Sequence, residues 1–274
     1  RGSPTPSANS SSTHGNCTGP MLASCSRSLL RRSFTEWRVS KPHAFRFAST
    51  TAASTATAIA DAASSPFGVA IVGSGPSACY TAKYLKSTMD KLGKAVTIHM
   101  FERLSTPFGL VRFGVAPDHP EVKNVQNDFA KLFESKQVTF YGNVNVGTDV
   151  SVAELRDRFD AVVMAYGCES DRKLGLPGES TLDGVLSARE FVAWYNGHPD
   201  FEHVGDVVKS AISNAENSSS NIVIIGQGNV ALDCARILAK TAPSLASTDI
   251  ARDALSILKP APTSSHERTV HVLG

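Results

Sequence analysis

The sequence predicts an α/β protein made of two parallel-sheet units, and three observations predict it. A short apolar run at 68–72 leads into Gly73-Ser74-Gly75-Pro76-Ser77-Ala78 and then a helix-like stretch. A second apolar run at 95–101 ends on an acid, Glu102. The opening then recurs: a strand-like run at 222–225 precedes Gly226-Gln227-Gly228-Asn229-Val230-Ala231 and another helical stretch.

Strand, glycine turn, helix and acid-ended strand form the order of a Rossmann-like dinucleotide-binding fold. Gly73 permits the tight turn, and Gly75, lacking a Cβ, lets backbone approach a pyrophosphate. Ala78 takes the close-packing third position. Unpaired N–H groups and the positive dipole end at the helix start attract the phosphates, and Glu102 can accept hydrogen bonds from ribose hydroxyls. The acid lies further on than usual, so the intervening helix is longer than the minimum. One GxGxxA can also be a tight turn that binds nothing. Two copies in one chain imply two dinucleotides, and a flavin with a nicotinamide is the natural pair, because hydride passes between them.

Glu102 is followed by Pro107-Phe108-Gly109-Leu110-Val111-Arg112-Phe113-Gly114-Val115-Ala116-Pro117-Asp118-His119-Pro120, which has neither helical nor strand period. It reads as a buried loop whose backbone must find partners, as an aromatic, hydrogen-bonding cofactor would supply. From Gly73 through this loop to Glu121-Val122-Lys123-Asn124-Val125, the chain resembles the mitochondrial adrenodoxin reductase family. The likeness continues through Tyr141-Gly142-Asn143-Val144, Trp194-Tyr195-Asn196-Gly197 and Gly226 to Asp233, and covers nearly everything from about residue 67 onward.

The resemblance implies a flavoprotein that passes electrons from NADPH through FAD to an acidic [2Fe–2S] ferredoxin. Matched residue by residue, it places Ser77 (usually Ala in the family), Glu102, Leu110 and Val146 at FAD. Gln227, Gly228, Asn229 and Val230 fall at the nicotinamide nucleotide. His119 and Asp233 each sit beside a cofactor motif and are the candidate polar pair near the flavin, with purely structural roles as the alternative. Asp118 reads as a cap or turn residue. Arg112 could meet a pyrophosphate, a ferredoxin carboxylate or an ordinary ion-pair partner.

The 274 residues carry a formal net charge of +2, which offers no case for nucleic acid as a partner. No run of about 18 apolar residues predicts a spanning helix. Residues 1–65 are rich in Ser, Thr and Ala, with Glu36 and Asp61 as their only acids. Arg27, Arg31, Arg32, Arg38, Lys41 and Arg46 supply scattered positive charge, and Leu22, Leu29, Leu30, Phe34 and Trp37 recur at roughly helical spacing opposite them, the description of an organelle transit peptide. A generic disordered basic tail is the alternative. Met21 reads as a start, Arg46-Phe47-Ala48-Ser49 as a processing site, and 49–65 as a linker. The expected location is the mitochondrial matrix, with inner-membrane association left open.

The expected domains are therefore a disordered transit peptide and linker at 1–65, the N-terminal part of an FAD-binding domain at 66–169, and an NADP-binding domain at 170–274. The sequence stops at Gly274, before the residues that separate a bare ribose from a 2′-phosphate. The family's arginine pair there, and the C-terminal return of its flavin domain, lie beyond this sequence, so a truncated chain is expected. Within the body, helical spacing runs over 122–133, and strands are read at 138–141, 160–166 and 269–273. Capping boxes begin at Ser151 and Ser187, 142–147 reads as turn and strand, and Thr248-Asp249 can cap a helix over 250–258. Residues 198–220 read as a surface excursion around one weak helix. Cys79 and Cys234 read as structural, and with no C-x-x-C among five cysteines neither a dithiol centre nor a metal site is expected. A relative delivering electrons elsewhere, or a non-catalytic nucleotide-binding module, remain the rival readings.

Overall fold

The computed structural model describes residues 65–168, 170–213, 220–259 and 268–274. The expected targeting segment, Met21 and the processing site at Arg46 lie outside the described residues.

The first unit is a four-stranded parallel sheet in the order β3-β2-β1-β4, formed by β1 (Phe67–Val72), β2 (Val96–Phe101), β3 (Val138–Tyr141) and β4 (Ala161–Met164). In β1, Val69 and Ile71 face one core cluster while Ala70 and Val72 face another. Burial on both faces is why this strand reads as an unbroken apolar run rather than an alternation. Helix α1 (Pro76–Lys91) crosses from β1 to β2 and packs Ala78, Cys79 and Ala82 on the first face. Its proline sits at the start, where a missing N–H costs no helical bond.

After β2 come the single turn α2 (Leu110–Phe113), the short α3 (Pro120–Lys123) and α4 (Val125–Phe133). The one helix predicted over 122–133 is thus two, jointed at Asn124. The joint lets Lys123 turn inward as a buried cation, while Phe129 and Leu132 of α4 face the sheet. Helix α5 (Val152–Arg158) opens on Ser151 with both halves of its capping box formed, as does α6 (Ala188–Tyr195) on Ser187. The strand expected within 142–147 is reduced to a bridge between Val146 and Val150.

In the second unit, β5 (Ser220–Ile225) pairs in parallel with β6 (Arg268–Leu273), Ile222 opposite Val270 and Ile225 opposite Leu273. Helix α8 (Asn229–Ala239) follows β5, and α9 (Ala242–Ala246) and α10 (Arg252–Leu258) follow in turn. Helix α7 (Val204–Ser213) is more than a surface excursion, because Val204 and Val208 join a core with Trp194, Tyr195, Ile237 and Leu245. Helix α10 begins later than predicted, with Ala251 at its N-cap and no side-chain cap. The predicted cap, Asp249, is instead held by Lys123.

The turn after β1 is the tightest approach in the first unit. Gly73 has φ +101°, and a Cβ there would lie 2.5 Å from the Ala165 carbonyl oxygen and 2.7 Å from Tyr166 Cα. Both the left-handed backbone and the crowding exclude a side chain. Gly73→Ala is expected to destabilise the protein by roughly 2–4 kcal/mol in urea unfolding; a loss under about 0.5 kcal/mol, the range of an ordinary surface substitution, would contradict this reading of the turn.

Candidate dinucleotide sites

The first candidate site lies in front of the turn between β1 and α1. Gly75 is the N-cap of α1, no side chain caps the helix, and a Cβ on Gly75 would meet nothing within 4 Å. The opening-turn N–H groups, which have no acceptor within their own helix, thus border open space. Glu102 is brought directly to this turn. Its Oε2 accepts from the Ser74 hydroxyl at 2.6 Å and the Ser74 N–H at 3.0 Å, and its Oε1 from the Leu104 N–H at 3.1 Å. The loop that reads as aperiodic closes the other side: Phe108 N–H donates to the Ser74 carbonyl at 3.0 Å. Gly109 lies so near that a Cβ on it would come within 3.1 Å of Gly75 Cα.

Ser77 and Leu110 are exposed beside this opening, Leu110 at 66%. Val146 is half-buried on the neighbouring loop, whose Val144 N–H bonds the Glu102 carbonyl. Cys79 is buried behind the turn, and burial, with Glu102 nearby, pushes its thiol up to about 12. Burial, with Asp233 beside it, likewise raises Cys234 to about 11. Both thiols stay protonated near neutral pH, the condition of structural cysteines.

The second candidate site repeats the geometry. Gly226 has φ +119°, and its N–H bonds the Leu273 carbonyl. Gly228 is the N-cap of α8 without a side-chain cap, and a Cβ on it would meet nothing within 4 Å. Gln227, Asn229 and Val230 are all exposed around this turn. The side chain of Gln227 lies against Gly274.

His119 and Asp233 do come together, His119 Nε2 standing 3.9 Å from Asp233 Oδ1 while Nδ1 lies 2.7 Å from Glu121 Oε1. Yet Asp233 also accepts from Arg236 at 2.7 Å, and Arg236 is the centre of the arrangement. Its Nε and Nη2 hold the two oxygens of Asp118 at 2.6 and 3.0 Å, and Lys240 Nζ adds a third contact at 2.7 Å. Asp118, read from the sequence as a cap or turn residue, is a 5% exposed carboxylate clamped by two cations. The hydrogen bond from Arg236, with that from Lys240, holds it far below the usual carboxylate range.

A second clamp lies at the end of α3. The 9% exposed Lys123 ammonium donates to both oxygens of Asp249, at 3.0 and 2.8 Å, and to Asn196 Oδ1 at 2.9 Å. Burial pulls its pKa down, opposed by the bond to Asp249. The two clamps bracket α3 and tie the loop after the first turn to α8 and to the segment before α10. Arg112 bonds the Pro107 carbonyl within its own loop at 3.2 Å. Spacing could have exposed the first clamp: Asp233, Arg236 and Lys240 recur at helical intervals on one face. Lys123 with Asp249, 126 positions apart, leaves no such trace. Among the described residues no group of three His, Cys, Asp or Glu could hold a metal ion, and no helix is long and apolar enough to cross a membrane.

Residues 67–248, both turns included, match the pyridine nucleotide-disulphide oxidoreductase family. The chain belongs to this family. Within it, the chain is 50% identical over 216 residues to the mitochondrial NADPH:adrenodoxin oxidoreductase of Arabidopsis thaliana, covering 78% of this chain and 41% of that relative. It is 47% identical over 196 residues to the NADPH-ferredoxin reductase FprA of Mycobacterium tuberculosis, covering 71% and 41%. The solved structure of FprA in complex with NADPH superposes with a TM-score of 0.66 at 46% identity, over 72% of this chain and 41% of that one. The likeness to the adrenodoxin reductases and the α/β fold predicted from sequence are thus borne out, and the chain spans about two-fifths of the length of these relatives.

The Asp118 clamp has a definite pH signature. A carboxylate whose pKa is depressed on folding stabilises fully above its unfolded value near 4, and loses that contribution as pH falls toward its folded value. Asp118→Asn is expected to cost about 2 kcal/mol in urea unfolding at pH 7. The gap to the parent should close as pH drops below about 4; a gap that does not change between pH 7 and pH 3 would contradict the clamp.

Proposed function

We propose that this chain carries the nucleotide-binding machinery of a flavoprotein reductase that takes electrons from NADPH through FAD to a [2Fe–2S] ferredoxin in the mitochondrial matrix. The observation that carries the proposal is the pair of uncapped helix starts, each behind a glycine, Gly75 or Gly228, with open space where a Cβ would project. Such a start is an anion site for a pyrophosphate. The activities for which the plant and mycobacterial relatives are named, NADPH:adrenodoxin oxidoreductase and NADPH-ferredoxin reductase, supply the reaction. The mitochondrial part rests on the plant and animal relatives and on the arginine-rich, acid-poor start of the sequence.

In this reading residues 66–169 form the FAD unit and 170–274 the NADP unit. Gly73 and Gly75 open the first phosphate site, Glu102 receives the adenosine ribose, and Ser77, Leu110 and Val146 line the flavin nucleotide. Gly226, Gln227, Gly228, Asn229 and Val230 receive the nicotinamide nucleotide. A bound flavin accepts hydride from a nicotinamide and releases electrons singly, which is the chemistry a one-electron iron–sulfur acceptor needs. The chain's own contribution is to hold and orient the two nucleotides. The Asp118 clamp holds the loop bearing His119 against α8 and the Lys123 clamp ties it to the segment before α10, and His119 with Asp233, 3.9 Å apart, is read as the polar pair near the flavin.

Purified full-length chain reconstituted with FAD should be yellow, bleach on NADPH addition, and reduce cytochrome c only when a [2Fe–2S] ferredoxin is present. Gly75→Ala should keep the parent's melting temperature within about 2 °C and weaken FAD binding at least tenfold, because the added methyl enters the phosphate space and nothing else. A chain that binds both nucleotides yet reduces no ferredoxin would be a binding module; a chain that stays colourless with excess FAD would remove the reductase reading.

A further inference from the structure

Ser74 holds the wild-card position of the first turn, between two glycines whose tasks are set by the backbone. Nothing in dinucleotide binding specifies its side chain. It is nevertheless fully buried, and each of its polar groups is engaged. The hydroxyl and the N–H both donate to Glu102 Oε2, at 2.6 and 3.0 Å. The carbonyl accepts from the Phe108 N–H at 3.0 Å and the Cys79 thiol at 3.4 Å. One side chain and one peptide thus join the turn, the acid, helix α1 and the loop that flanks the opening.

The consequence for Glu102 follows from carboxylate geometry. The terminal torsion of a glutamate is broad and two-fold, so one backbone N–H leaves the carboxylate free to swing. Two donors converging on Oε2, with the Leu104 N–H on Oε1, fix its plane. A carboxylate offers about four lone-pair positions, and these three donors leave one, on Oε1. The loop needs the same anchor: Phe108 has φ +89°, a strained value for a bulky residue that persists only where neighbours hold it.

We propose that the Ser74 hydroxyl is a specificity-determining positioning residue. It locks Glu102 so that its free acceptor meets the ribose diol of an adenine nucleotide, and the first turn thereby tells a ribose from a sugar lacking those hydroxyls. The proposal rests on the reading of the first turn as a nucleotide site.

Its test is the affinity of the full chain for ADP and for 2′,3′-dideoxy-ADP, in the parent, Ser74→Ala, Ser74→Gly and Glu102→Gln. Ser74→Gly removes the hydroxyl together with the Cβ and gives a second hydroxyl-free variant for the case in which the alanine variant folds poorly. The parent should prefer ADP, and both Ser74 variants should lose about tenfold of that preference, the factor carried by one charge-assisted hydrogen bond. Added to Glu102→Gln, Ser74→Ala should change the preference less than twofold, since the carboxylate it positions is gone. A merely structural serine would weaken both nucleotides equally and leave the ratio untouched; that result would overturn the proposal. If Glu102→Gln abolishes the preference while both Ser74 variants keep it, the nucleotide site stands and the role of Ser74 falls. If the parent shows no preference, the site as read falls and the proposal with it.

Discussion

Everything in the first unit depends on how closely the chain can double back after β1. Gly73 passes so near the end of β4 that no side chain fits, and its left-handed backbone is one that L-residues avoid. That single allowance brings three things together: the start of α1, the end of β2 with Glu102, and the loop at Phe108 and Gly109. Had the turn been wider, Ser74 would not reach Glu102, and the helix start would face solvent without an acid beside it. One turn thus joins crowding behind Gly73 to open space in front of Gly75.

The second unit repeats the turn at Gly226, and ion pairs tie it to the first beside the edge contact of Phe113 with His198. Asp118, just before α3, and Lys123, its last residue, reach different partners, the acid Arg236 in α8 and Lys240 just after it, the base Asp249 and Asn196. Each is largely withdrawn from water, and each is matched by more than one partner, which is the condition for a buried charge to be tolerated. Such ties are directional. They hold the loop carrying His119 in one register against Asp233, where an apolar contact would permit sliding.

Much of this was legible before any coordinates. Periodicity and glycine spacing gave both strand–turn–helix openings, because the 3.6 and two-residue patterns are local. The capping boxes at Ser151 and Ser187 formed as read, since a cap is settled within four residues. What escaped was long-range. The break at Asn124 goes with the long-range pair of Lys123 and Asp249, and α10 starts after Asp249 has been taken by Lys123 instead of capping. Burial of Val204 and Val208 depends on α6 and α10, which a polar flanking sequence does not announce. Ser74 was passed over because the motif leaves its position undefined, although its hydroxyl lies 2.6 Å from the acid the motif requires.

The central claim is that the two turns are separate dinucleotide sites. Equilibrium dialysis of the full chain against FAD and NADP⁺ together tests it most directly. The account predicts one FAD and one NADP⁺ bound per chain, neither displacing the other. Competition between the two for a single site, or saturation at one dinucleotide per chain, would contradict it.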